Sequence, residues 1–352
     1  MRRVTVLLLP FALLMGGAFT PAKTTAVRQA PTSAEATVGR PLPDGLEAAA
    51  KSAAALPRLR SLVVSHNGAI VLERYFNGAR ATAPTNIKSA SKSVISALVG
   101  IAIAKGHLKG VNDLAARYLP ELASDPDPFK RGIAIEDLLT MRSGLESTSG
   151  RGYGAWVQSK NWVRHVLARP RIDMPGQRVE YSTGSSHLLS AILTKATGKS
   201  TWQFAQEELA KPLGFSLAKW MTDPQGIYFG GNEMVMTPRQ MVRFGELYLN
   251  NGKISDRQIL PKPWIDQTRV PRGRSRWGSD REYGYGFWVR SFAGHDAYYA
   301  WGYGGQFIVI IPAKDLVVVT TSRVDVSRER RDHLDAIYEM VEEMVRTVRT
   351  SA

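Results

Sequence analysis

The 352-residue sequence contains no cysteine. That absence removes disulfides, a thiolate nucleophile, thiolate-held zinc or iron–sulfur clusters and a lipidated N-terminal cysteine. Long apolar runs are lacking after residue 19: Val94 to Ala104 has only 11 residues, too few to cross a bilayer. Several catalytic signatures are missing too. No serine has glycine two places away on both sides, which excludes the nucleophile elbow of α/β-hydrolases. His66, His107, His165, His187, His295 and His333 form neither His-x-His nor His-Glu-x-x-His, which argues against a zinc hydrolase, and each reads singly as a surface or core residue. The glycine clusters at 150–154 and 302–305 do not complete a dinucleotide-binding fingerprint. No metal and no organic cofactor is expected.

What is present is an ordinary globular composition, 44% hydrophobic and 22% charged. The net charge is +15, which raises the question of an anionic partner. The densest basic runs are Arg269, Arg272, Arg274 and Arg276, then Arg328, Arg330 and Arg331 interleaved with Glu329 and Asp332. This dispersal reads as a solvated basic surface, with no nucleic-acid site. At the N-terminus, Met1-Arg2-Arg3 precedes an apolar stretch from Val4 to Phe19 and then small residues. The pattern is that of a secretory signal peptide over residues 1–26, cut between Ala22 and Ala26. Pro10 and Gly16-Gly17 would make a poor spanning helix, so no stable membrane anchor is expected and the protein should be exported, periplasmic or secreted. Residues 27–45 form a loose leader and 46–348 the folded domain.

Two β-rich runs, Ser61 to His66 and Ala69 to Phe76, flank Asn67-Gly68, a strong hairpin signal. From about Ser91 to Trp264 the pattern is mostly helical, punctuated by Gly and Pro. Strand character returns at Tyr283 to Val289, and Phe307 to Pro312 and Leu316 to Thr321 flank Ala313-Lys314-Asp315 as a second hairpin. Leu334, Ile337, Met340, Val341, Met344 and Val348 then recur at helical spacing within Val326 to Val348. Strands at both ends with helices between predict an α+β fold. One antiparallel sheet is flanked by helices, and a helical subdomain is inserted in it.

One segment carries a chemical pattern. Ser89 lies three residues before Lys92 at the start of a helix with no other charge through Ala104. Spacing i, i+3 places both side chains on one helix face. A serine hydroxyl needs a base, and a lysine can be one if burial lowers its pKa toward neutrality. A helix N-terminus adds a positive dipole near a developing oxyanion. Alone, Ser-x-x-Lys also describes a capping serine beside an exposed lysine.

Further segments, in order, make the chain resemble the serine β-lactamase and penicillin-binding protein superfamily. In style it is closest to class C β-lactamases, esterases of that fold and 6-aminohexanoate-dimer hydrolases. Ile135 to Leu145 resembles the family's loop-entry motif, and Tyr181-Ser-Thr183 after Pro175-Gly176 resembles its Tyr-x-Asn motif. Pro212 to Phe215, Gly230-Gly231 and Met236 to Met241 match later landmarks, and Ala300-Trp301-Gly302-Tyr303 resembles the third-motif strand. The likeness spans roughly residues 45–348 and implies a β-lactamase/transpeptidase-like fold.

By that resemblance Ser89 attacks an ester or amide carbonyl and Lys92 shares its proton. Tyr181 acts as general base or acid, its phenolate favoured by the nearby ammonium. The N–H groups of Ser89 and of a residue near Tyr303 form the oxyanion hole, Gly302 lets the strand approach the substrate, and Thr183 and Trp301 line the cleft. Tyr153 and Trp156 sit in a segment that is a loop over the site in this family, Trp301 and Tyr303 flank the third strand, and core packing is as good a reading for all four. Two departures bear on substrate: Thr183 replaces Asn, and Ala300-Trp301-Gly302 lacks the usual cation. The resemblance therefore implies a serine hydrolase acting on a small ester or linear amide, and the signal pattern implies that it is exported. The alternatives are a β-lactamase or D-Ala-D-Ala carboxypeptidase, and a non-catalytic receptor or scaffold.

Overall fold

The computed structural model describes residues 46–274, 281–325 and 330–349. The expected signal peptide and leader, Arg276, Arg328 and the first residues of the Val326 to Val348 segment lie outside the described residues.

The chain starts with α1 (Leu46–Ala54) and enters β1 (Leu59–His66) and β2 (Ala69–Tyr75). Asn67 and Gly68 join these strands with φ of 51° and 71°, the type I′ geometry that matches strand twist. After the helical insertion come β3 (Glu282–Tyr283), β4 (Trp288–Phe292), β5 (His295–Gly302), β6 (Gln306–Ile311) and β7 (Leu316–Ser322). The seven strands form one sheet in the order β2-β1-β7-β6-β5-β4-β3. β1 pairs antiparallel with β7, Val63 facing Val319, so the two ends of the chain meet in mid-sheet as the strand order predicts. β6 and β7 are buried at every position, consistent with their apolar runs Phe307–Ile311 and Leu316–Val319.

The sheet separates two cores. On one face α1 and α5 (Arg330–Thr347) cover Leu62, Val64, Val309 and Val318; Leu334, Ile337, Met340, Val341 and Met344 supply the helix's apolar stripe. Burying each such side chain stabilises the fold by about 1.5–3 kcal/mol. On the other face lie the inserted helices. These include α2 (Ser91–Ala104), α3 (Thr183–Thr197) and α4 (Pro238–Leu249). α2 is buried at every residue from Ser91 to Ala102, consistent with its all-round apolar sequence. Where the sequence predicts helix up to Trp264, residues 217–236 instead run as irregular chain. This stretch ends in a two-residue strand, Val235–Met236, paired with Thr85–Asn86. Pro224, Gly226 and the Gly230-Gly231 pair explain the break, since none supports helix interior. No helix among the described residues is long and apolar enough to cross a membrane.

Candidate active site

Ser89 occupies a single 3₁₀ turn, Lys88–Ala90, that feeds directly into α2. Lys88 just before it has φ of 52°, an uncommon state for a residue with a side chain. Polar partners hold it there: Asn86 Oδ1 accepts the Lys88 N–H at 2.8 Å, and Glu233 takes Asn86 Nδ2 at 2.8 Å and Lys88 Nζ at 3.4 Å. The neighbouring serines are committed elsewhere. Ser91 Oγ donates to Lys88 O at 2.8 Å, and Ser93 Oγ to Gly286 O at 2.7 Å.

One helical turn on, Lys92 is 2% exposed and its Nζ has no carboxylate among its hydrogen-bond partners. It lies 3.0 Å from Ser89 Oγ, 3.3 Å from Thr183 Oγ1 and 2.9 Å from Gly231 O. Burial without a compensating anion lowers its pKa to about 7. A neutral amine has two N–H donors and one lone pair. Gly231 O and Thr183 Oγ1 can take the donors, leaving the lone pair for the Ser89 hydroxyl.

Tyr181 completes the cluster. Its hydroxyl is hydrogen-bonded to Ser89, and its ring stacks on Trp288 at 5.5 Å and meets Tyr283 edge-on at 5.9 Å. Burial raises the phenol above its ordinary value, against the smaller lowering effect of the Ser89 hydroxyl. Lys92 Nζ lies over the ring, 5.0 Å from its centroid. The expectation of a favoured phenolate is therefore corrected. The amine is the group brought to neutrality, and Tyr181 stays a phenol.

Thr183 heads α3, and its side chain touches both Lys92 and Ser149 Oγ, the latter at 3.0 Å. Ser147, Thr148 and Ser149, which belong to no motif in the sequence, clamp this turn. Ser147 Oγ donates to Tyr181 O at 2.7 Å, while Ser149 Oγ and Thr148 Oγ1 accept the N–H groups of Thr183 and Gly184, both at 2.9 Å. Gly231 was only a landmark; a Cβ there would lie 2.3 Å from Ser186 Oγ and 3.0 Å from Lys92 Nζ. A Gly-Gly pair in irregular chain is the signal that could have flagged this close approach.

The third-motif strand lies beside the nucleophile turn. A Cβ on Gly302 would stand 2.0 Å from Ile87 O, so only glycine lets β5 pass this near. Gly302→Ala should push strand and turn apart, lowering ester kcat/KM about a hundredfold while near-UV circular dichroism stays native. Unchanged kinetics would remove the strand from the site. Ala300 is buried in the same core as α2, and β5 pairs with β4 only as far as Tyr299. Trp301 points the other way, edge-on to Trp288 at 5.7 Å and stacked with Phe307 at 6.4 Å. It stands behind Trp288, which backs Tyr181, so the structure places it one ring away from the reacting groups. Tyr303 is half-buried in the turn after β5. Trp156 is fully buried against Trp162 and Phe229, and Tyr153 receives Asn232 Nδ2 at 2.7 Å. The expected loop carrying them is a short helix, Tyr153–Val157.

Comparisons with known proteins bear on the family and the fold. The model of the Beta-lactamase family matches residues 53–341. A solved structure of a candidate 6-aminohexanoate-dimer hydrolase from Bacillus anthracis is 24% identical with a TM-score of 0.67, covering 82% of this chain and 80% of that one. A family VIII carboxylesterase structure is 16% identical with a TM-score of 0.65, covering 84% and 97%. An uncharacterised protein of Alkalihalophilus pseudofirmus is 25% identical over 220 residues, 57% of this chain and 61% of that relative's length.

Proposed function

The chain belongs to the Beta-lactamase family, and from that premise we propose that it is an exported serine hydrolase cleaving a small ester or linear amide through an acyl-enzyme on Ser89. The observation that carries the reading is Lys92. It is a buried amine without a carboxylate partner, brought to about neutral pKa, 3.0 Å from the Ser89 hydroxyl. In acylation Ser89 Oγ bonds to the carbonyl carbon while its proton passes to Lys92 Nζ. The oxyanion is met by the N–H groups of Ser89 and of the turn at Tyr303. Collapse breaks the bond to the leaving oxygen or nitrogen, which takes the proton back through Lys92 and the Tyr181 hydroxyl. Water then attacks the acyl-enzyme by the same route, releasing acid and free Ser89.

Ester or linear amide is preferred over β-lactam because the third-motif position holds Ala300, 1% exposed, with no ammonium to meet a substrate carboxylate. The likeness to a carboxylesterase and to a 6-aminohexanoate-dimer hydrolase candidate supports the same choice. Measured side by side, kcat/KM for a short-chain p-nitrophenyl ester should exceed that for nitrocefin. Faster nitrocefin turnover moves the reading to a β-lactamase. No turnover and no fluorophosphonate adduct moves it to a non-catalytic receptor. Export rests on the Arg2-Arg3 and apolar pattern alone, and N-terminal sequencing of secreted or periplasmic material tests it.

A further inference from the structure

We propose that His187 and Asp223 are a positioning pair: they fix an imidazole tautomer that holds the Gly230-Gly231 backbone, and through it the orientation of Lys92. The inference rests on the reading of Ser89 and Lys92 as nucleophile and base.

His187 lies on α3 one turn after Thr183, with its side chain wholly buried. Its Nε2 is 3.2 Å from Asp223 Oδ2, whose side chain is equally buried. Its Nδ1 accepts the Gly230 N–H at 3.4 Å. A ring nitrogen that accepts from an N–H carries no proton, so the proton sits on Nε2 and is donated to Asp223. Asp223 is fixed in turn, its Oδ1 accepting the N–H groups of Gln225 at 2.8 Å and Ile227 at 2.9 Å. Trp156, Trp162 and Phe229 meet the imidazole edge-on at 5.8, 5.3 and 6.0 Å.

Gly230 and Gly231 have no side chains to anchor them. A Cβ on Gly230 would lie 2.3 Å from Ser186 O. Backbone bonds must therefore do the holding. The N–H of Gly230 goes to His187, and the carbonyl of Gly231 takes Lys92 Nζ at 2.9 Å. Asp223, His187, Gly230, Gly231 and Lys92 thus form a line of hydrogen bonds, joined by the Gly230–Gly231 peptide bond, that ends at Ser89. Asp223, His187 and Gly230 touch none of the reacting groups, and Gly231 meets them only through its carbonyl at Lys92 Nζ.

The test separates the two ring nitrogens. In the full chain, His187→Asn places an amide oxygen near the Nδ1 position and keeps the acceptor for Gly230. His187→Gln places its amide near Nε2, keeping Asp223 but leaving the Gly230 N–H unpaired. Asp223→Asn keeps its oxygen on the two backbone N–H groups and turns an NH₂ toward Nε2. The ring proton is then driven onto Nδ1, against the Gly230 N–H.

The readouts are the rate of fluorophosphonate labelling of Ser89, ester kcat and KM, and Tm. His187→Asn should label within about threefold of wild type. His187→Gln and Asp223→Asn should be slowed tenfold or more in labelling and kcat, with KM within about twofold and a Tm no lower than that of His187→Asn. Equal labelling by the Asn and Gln variants, or a loss shared by KM and Tm, overturns the positioning role. A wild type that takes no label on Ser89 overturns the hydrolase reading, and this inference with it.

Discussion

Replacing Ser89 by alanine should lower ester kcat/KM by about four orders of magnitude or more and leave the fold standing. The size follows from the mechanism: without Oγ no acyl-enzyme forms, and binding and oxyanion stabilisation alone remain. The neighbours cannot take over. Ser91 and Ser93 are buried and spend their hydroxyl protons on Lys88 O and Gly286 O. Stability should change by no more than about 1 kcal/mol, because Ser89 is half-buried and Lys92 keeps Gly231 O and Thr183 Oγ1 as partners. Ester hydrolysis, thermal unfolding and mass spectrometry after fluorophosphonate treatment measure all three. Retained turnover, or an adduct on Ser91 or Ser93 in the wild type, assigns the nucleophile elsewhere.

The sheet was legible in the sequence because its signals are local. Asn67-Gly68 sets one hairpin, Asp315 with φ of 47° closes the other, and β6 and β7 carry the apolar runs Phe307–Ile311 and Leu316–Val319. Ser89 and Lys92 were legible for the same reason, being one helical turn apart and followed by a chargeless helix. What surrounds them was not. Gly231 meets Lys92 across 139 positions, and the Ser147 to Ser149 clamp reaches 34 positions to Tyr181 and Thr183. Contacts of that span leave no periodicity, and serine and glycine in irregular chain read as solvent loop. The ionisation of Tyr181 was misjudged because it depends on what encloses the ring. Tyr283 and Trp288 arrive from the far end of the chain and close around it.

Lys92→Arg should lose about three orders of magnitude in kcat/KM, in the middle of the range for removing a general base. A guanidinium stays protonated throughout the accessible pH range, so it has no lone pair to offer Ser89. Wild-type activity should rise with pH through about 7, where Lys92 gives up its proton, and that limb should be absent from any residual Lys92→Arg activity. Because arginine is also larger than the space, Lys92→Met supplies the second arm. Its catalytic loss should match, while its stability lacks the pH dependence that the buried amine gives the wild type. The folded pKa of Lys92 lies below the unfolded value, so between about 7 and 10.5 the unfolded chain binds more protons. Burying the amine therefore costs the wild type most at and below pH 7, on the order of a few kcal/mol, and the penalty fades as pH rises toward 10.5. Methionine carries no such penalty but leaves Gly231 O without its donor. The stability of Lys92→Met relative to wild type should thus be greatest near pH 6 and decline steadily toward pH 10. Denaturant unfolding at several pH values measures this difference. A difference that does not change with pH would show that Lys92 is an ordinary ammonium in the folded protein, and an active Lys92→Arg enzyme would show that Ser89 draws its base from elsewhere.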